Sequence, residues 1–446
     1  MIHPLLLKGL AVLGLLVPLF IIDVPPLYDY LNRVAEAHLI GHPSPAYTVD
    51  WGIQPNLASA GVAWALGTWL DAYDIARVLL ALSLVLPFAG VCLLHRVIHR
   101  QLGLWPLTAS LVVYNGILGV GAFNYCIGQG IVLIGLSGWL HFTRWIRILV
   151  GVLAANILYF THLMAFTAFA LIIILHALSQ RKLRDLIDVG FTISIPVFLI
   201  LSVPTNFPSE LTVYGSTIDK GRALLSPFVF IGYPWEFILA AILLVVLLWA
   251  TRLKVATEFR LPILGLTAAA LVTPSILNGV SAVDWRLPVL LTFLIIATTK
   301  PRPLNWLGVI IAGVFALKIG VITFHWQSQQ SIFAEARKAM QMLPQGASIQ
   351  SVGNVKSRQF PPYIHLVSLA VVERSAFVPT LFTYSGPVYA SPGYRHLDRP
   401  GGAPVPPEKV DPRFDYLFWI HDGAEPTTPY EPIARGSFFT IFKTAS

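Results

Sequence analysis

Residues 5–36, LLLKGLAVLGLLVPLFIIDVPPLYDYLNRVAE, decide what kind of protein this is. Residues 5–22 are apolar except for Lys8, and crossing a bilayer core of about 30 Å takes roughly 20 residues of helix. The run stops at Asp23-Val-Pro-Pro. Beyond it Tyr28–Ile40 has helical periodicity, with Leu31, Val34, Ala35, His38 and Leu39 on one side. No small-x-small site follows the apolar run, so it reads as a retained span and not as a removed leader.

The rest of the chain extends that pattern. Of 446 residues, 56% are hydrophobic and 12% charged, against about 25% charged in ordinary soluble domains. A soluble enzyme is excluded. Disorder is excluded too, because 26 Phe, 15 Tyr and 12 Trp carry far too much apolar surface. Apolar runs fall near 5–22, 75–94, 103–120, 125–142, 147–161, 163–178, 187–205, 233–251, 260–278, 285–299 and 304–323. The expected fold is an all-α polytopic membrane bundle of about eleven transmembrane helices over residues 1–324, with a large first outer loop at 23–72.

Residues 325–446 regain Pro, Gly and charge. Their pattern predicts a small extracytoplasmic α/β domain. It has helices at 330–342 and 364–374 and strands at 348–352, 377–382, 415–420 and 437–443, with a Gly- and Pro-rich loop at 386–412. Cys92 and Cys126 both lie in apolar runs, so no disulfide framework or thiolate metal site is on offer.

Charge fixes the expected orientation. Lys8 and the turns holding Arg96, Arg100, Arg144, Arg147, Arg181, Lys182, Arg184, Arg252, Lys254, Arg260, Lys300 and Arg302 contain only three acids, a net of +10. The remaining residues sum to −2, within a total of +8. The positive-inside rule then puts the N-terminus in the cytoplasm and the C-terminal domain outside. With the basic balance explained by topology, nucleic acid drops out as a partner.

Polar residues collect at the outer ends of the spans. Asp23 ends the first span, and Asp29 follows one Pro-Pro turn later with Asn32, Arg33 and Glu36. A carboxylate at that depth can take a proton from an acceptor facing a lipid-linked phosphate. The alternative is that Asp23 caps the span and Asp29 caps the next helix. Asn124 and Tyr125 open the fourth span, and His162 occupies a tight outer turn, where it reads as a site histidine or a hydrogen-bonded turn residue. Asp219, Lys220 and Arg222 lie in the outer loop 206–232, and Asp284 and Arg286 begin the tenth span. Lys318 lies near the outer end of the eleventh. Arg binds phosphate bidentately, and charge in the membrane is costly without a partner. Against those roles stand a salt bridge of Arg286 with Asp284 or an acidic loop residue and the snorkelling of Lys318 to the interface. No nucleotide loop, dinucleotide fingerprint, His-Glu-x-x-His or Gly-x-Ser-x-Gly is present.

The layout resembles the GT-C superfamily of membrane glycosyltransferases. Asp29-Tyr-Leu-Asn-Arg-Val-Ala, Phe123-Asn-Tyr-Cys-Ile-Gly-Gln-Gly, Thr161-His-Leu-Met-Ala-Phe, Asp284-Trp-Arg-Leu-Pro and Tyr363-Ile-His365 are similar to blocks in uncharacterised bacterial multi-span proteins of this type. Many of those read Asp-x-x-Asn-His in the first block, where this chain has Arg33 in place of the histidine.

The resemblance implies transfer of a sugar from a polyprenyl-phosphate donor to a glycan, lipid or protein acceptor. The reaction would take place at the periplasmic face of the bacterial inner membrane, in envelope glycan or exopolysaccharide assembly. It implies a first-loop Asp as base, Asp29 by block position or else Asp23. Arg286 with Lys220 or Arg222 would hold the donor phosphate, and Asn32, Asn124, His162, Asp284 and Lys318 are the further substrate-binding candidates. Some members use a divalent cation, Mg or Mn, for which Asp23, Asp29 and His162 are the available donors. The competing readings are a transporter or flippase, which would need ionisable residues deep in several spans, and a non-catalytic assembly subunit.

Overall fold

The computed structural model describes residues 4–202, 212–232, 236–238, 240, 253–301, 307–353, 363–381, 386–399, 404–421 and 426–444. They form two compact units: one of Met1–Pro18, Gln54–Ala58 and Leu80–Ile322, the other of Leu19–Ile53, Ser59–Leu79 and Thr323–Ser446. Seven described helices are long and apolar enough to cross a membrane, and the protein is a multi-pass membrane protein.

The first unit is helical. Its centre is the helix Phe123–His141, buried along most of its length between Arg144–Thr161 and Leu163–Gln180. Close approach follows from small residues: a Cβ added at Gly128 would lie 2.7 Å from the Ala165 Cβ, and one at Gly135 would lie 2.9 Å from that of Ala154. The helix Leu183–Ser202 is tied to Arg144–Thr161 by ion pairs. Asp188, fully buried, takes Arg144 at 2.8 Å and also Arg147, which reaches Asp185 at 3.0 Å.

Six of the expected spans correspond to the long helices Pro4–Ile21, Ala72–His99, Phe123–His141, Arg144–Thr161, Leu163–Gln180 and Leu183–Ser202. The last expected run corresponds to Leu307–Gln327. The run at 103–120 is a different object. It breaks into the 3-10 helix Trp105–Ala109, a turn of helix Ser110–Val113 and the short helix Gly116–Val120. Asn115 causes the second break. Its Oδ1 accepts from the N–H groups of Ile117 and Leu118, while its Nδ2 donates to the Val112 and Val113 carbonyls, both at 3.0 Å. The runs at 260–278 and 285–299 contain helices of 13 residues, Arg260–Val272 and Arg286–Thr298, each about 20 Å long at 1.5 Å per residue. The expected span at 233–251 lies outside the described residues apart from 236–238 and 240.

The second unit carries a four-stranded sheet in the order Ile349–Val352, Tyr416–Ile420, Phe439–Lys443, Glu431–Gly436. The first pair is parallel and the other two are antiparallel. Val352, Leu417 and Phe442 form a core on it. Three expectations for this region need correction. The segment 364–374 is the 3-10 turn Leu366–Ser368 followed by the helix Leu369–Arg374. The expected strand at 377–382 reduces to one parallel bridge, Ser348 with Phe377, and 382 lies outside the described residues. Glu431–Gly436 is a strand that period-2 reading missed, since Pro432 lies in it beside a bulge, tolerable only because the strand is at the edge.

Residues of the segment 23–72 are built into the same unit. The strand Tyr47–Val49 pairs antiparallel with Val388–Ala390, and the Tyr47 hydroxyl donates to the Val378 carbonyl at 3.0 Å while accepting the Val378 N–H at 2.8 Å.

Candidate functional site

Two clusters gather the predicted residues, one in each unit. In the second unit the helix Tyr30–Gly41 begins at Asp29. An aspartate there ordinarily caps the helix with its side chain, from extended backbone. Asp29 does neither: its φ and ψ are −97° and 6°, and its carboxylate makes no capping bond. Its Oδ1 lies 3.4 Å from the Nε2 of His365, whose side chain is 1% exposed against 13% for Asp29. The Tyr28 ring packs edge-on to the His365 imidazole, with centroids 4.8 Å apart.

One turn further on, Asn32 is fully buried and its Oδ1 accepts from the Ser368 hydroxyl at 2.6 Å. Its neighbour Arg33 pairs with Glu36 at 2.7 Å, and Ser59 donates to both Glu36 oxygens at 3.3–3.4 Å. Asp29, Asn32, Arg33 and Glu36 therefore line one face of one helix, at i, i+3, i+4 and i+7.

Asp23 is unlike Asp29. Its side chain is 96% exposed, and Arg77 donates to its backbone carbonyl at 2.9 Å. Burial and the Asp29 charge raise the Tyr28 phenol well above its usual range, so at neutral pH Tyr28 is a hydrogen-bonding group and not a base.

In the first unit, three blocks meet at Tyr125. The Tyr125 hydroxyl donates to the Arg286 carbonyl at 2.8 Å, and the Arg286 guanidinium lies 5.9 Å from the centre of the Tyr125 ring. On the same ring, the His162 imidazole packs edge-on at 5.1 Å. His162 is also the N-cap of Leu163–Gln180, accepting the Met164 N–H at Nδ1. Asn124 donates to the Asn56 carbonyl at 3.0 Å.

The other bases are engaged. Lys220 donates to the Thr273 carbonyl and lies 3.5 Å from Asp284 Oδ2, which also accepts from Ser275 at 2.8 Å. Asp284, 1% exposed, is therefore the ion partner of Lys220. Arg222 is 46% exposed and lies 3.6 Å from Asp219, whose carboxylate closes a capping box with Ser216. Lys318 neither snorkels nor waits for a ligand in this geometry. It donates to the carbonyls of Leu111 and Tyr114 at 2.7 and 2.6 Å, ending the helical turn Ser110–Val113.

The donors named for a divalent cation do not assemble into a site. Among the described residues, no group of three or more His, Cys, Asp and Glu side chains is placed to hold a metal ion.

Sequence reasoning gave His365 no role, although it stands in a quoted block, and missed Ser59 and Ser368 altogether. Nothing in the spacing connects a histidine near the C-terminus with an aspartate near the N-terminus.

No protein-family model matches the chain, and neither does any curated protein. Its fold does match solved structures of ArnT from Cupriavidus metallidurans. The apo structure aligns with a TM-score of 0.53 at 13% identity, covering 99% of this chain and 98% of that one. The structure bound to undecaprenyl phosphate aligns with a TM-score of 0.51, at the same identity and coverage. The chain therefore shares the fold of ArnT.

Proposed function

We propose that this chain transfers a sugar from a polyprenyl-phosphate-linked donor to an acceptor at the periplasmic face of the bacterial inner membrane, in envelope glycan or exopolysaccharide assembly. The orientation follows from the charge sorting, with a cytoplasmic N-terminus and an extracytoplasmic C-terminal region. What supports the substrate class is the fold shared with ArnT, one of whose structures holds undecaprenyl phosphate.

The observation that carries the chemistry is the Asp29 carboxylate, three residues before Asn32 on a polar helix face and held off the helix cap. In this reading Asp29 takes the proton of the acceptor's O–H or N–H group. The acceptor atom forms its bond to the anomeric carbon as the bond from that carbon to the phosphate oxygen breaks. Negative charge develops on the departing polyprenyl phosphate, and Arg286 is assigned to stabilise it. Lys220 and Arg222, which pair with Asp284 and Asp219, are the further assignments for the phosphate.

The test compares wild type with Arg286→Ala in membranes from cells whose lipid-linked sugars are radiolabelled. The proposal expects retained polyprenyl-phosphate-sugar and lost transfer in the variant. Equal transfer by both, at equal protein level, overturns the assignment of Arg286.

The flippase alternative has a specific weakness. Asp29, Asn32 and Glu36 sit on a helix of the unit that carries the sheet, not within the seven long apolar helices.

A further inference from the structure

We propose that His365 is the positioning residue of Asp29. This rests on the reading of Asp29 as the base. An aspartate that precedes a helix ordinarily caps it with its side chain. Asp29 forgoes that bond, so something else must orient its carboxylate, and the group at 3.4 Å is His365 Nε2.

The placement is built, not incidental. His365 is buried, the Tyr28 ring closes one edge of it, and it immediately precedes the 3-10 turn Leu366–Ser368. Ser368 lies three residues after His365, as Asn32 lies three after Asp29, and that second pair is joined at 2.6 Å. Two contacts in matching i, i+3 steps register the histidine-bearing turn against the helix. A slip of one residue would break both.

The tautomer follows from the partner. An imidazole whose Nε2 faces a carboxylate oxygen is favourable only with a proton on that nitrogen, since two bare acceptors would repel. With the proton on Nε2, the histidine faces Oδ1 across a 3.4 Å ion-pair contact, and Oδ2 is assigned to take the acceptor's proton. His365 thus acts through Asp29: it fixes the direction of the base and keeps it from swinging onto the helix N-terminus.

Two measurements on the full-length protein test this. The first needs no substrate: in histidine-¹⁵N-labelled protein, with the His365 signal identified by its loss in His365→Gln, Nε2 carries the proton at neutral pH. A bare Nε2 overturns the proposal.

The second uses two polar substitutions that differ in reach. The Gln amide N–H extends to about the position of Nε2, whereas that of Asn falls short, near Nδ1. In radiolabelled membranes, His365→Asn lowers kcat for sugar transfer by about 10²-fold, the scale of a mispositioned group, with donor KM little changed. His365→Gln stays within about tenfold of wild type. Equal activity of the two variants overturns the proposal. Full transfer by Asp29→Asn overturns the parent reading instead, while an Nε2–H signal would leave the positioning contact standing.

Discussion

His365 Nε2 lies 3.4 Å from Asp29 Oδ1, so the aspartate at the start of the first-loop helix faces a histidine of the C-terminal part of the chain and does not cap the helix it precedes. Capping is the ordinary use of an aspartate at this position, and the absence of that bond singles Asp29 out from Asp23, whose carboxylate is exposed. Chemistry and stability should therefore separate cleanly among the charged residues, and each of the following outcomes is a way to see that.

Lys220 is expected to act on stability. Removing its charge in Lys220→Met leaves Asp284 buried without its cation, which should cost about 3–5 kcal/mol in thermal unfolding of the detergent-solubilised protein. Adding Asp284→Asn should recover most of that loss. A single variant as stable as wild type would show that the pair does not hold the structure.

Arg222 and Arg286 should behave oppositely. Arg222→Ala removes an exposed pair with Asp219 and should change stability by no more than about 0.5 kcal/mol, with transfer close to wild type. Arg286→Ala should abolish transfer. Matching phenotypes would mean that the phosphate role is misassigned.

Asn115 joins two helical pieces through four hydrogen bonds. Asn115→Ala should lower stability by about 2 kcal/mol, at the upper end for a lost cap because the site is buried. Calorimetry on purified protein provides the check, and an unchanged midpoint counts against the break being a designed feature.

His38 should make stability depend on pH. Burial pushes its imidazole down to about 4 from 6.5, with the stacked His42 adding to the shift and Glu373 opposing it. The unfolded chain therefore binds a proton between about pH 6.5 and 4 that the folded chain refuses. This contribution is complete above about pH 6.5 and is lost as pH falls toward 4. His38→Gln should flatten the slope of the unfolding midpoint over that window. An unaltered slope would assign the effect elsewhere.

Much of the membrane part was legible in the sequence because two physical signals agree there. Apolar length marks the long helices, and scarce charge marks their ends. The signal failed at 103–120, where apolar length is present but Asn115 hydrogen-bonds the backbone on both sides and divides the run. It failed at 431–436 because an edge strand tolerates a proline that period-2 reading takes as a stop. The gathering of Asn124, Tyr125, His162 and Arg286 was half legible: each stood in a quoted block, and only folding brings those blocks to one aromatic ring. The pairing of Asp29 with His365 was not legible at all, because local periodicity carries no information about contacts between distant segments.

Sugar transfer by Asp29→Asn, in membranes from radiolabelled cells and at matched protein level, bears on all of this at once. Asparagine keeps the shape and removes the base, so transfer should fall by about 10²–10⁴-fold while the thermal midpoint stays near wild type. Transfer at the wild-type rate by a folded Asp29→Asn protein would contradict the assignment of the base.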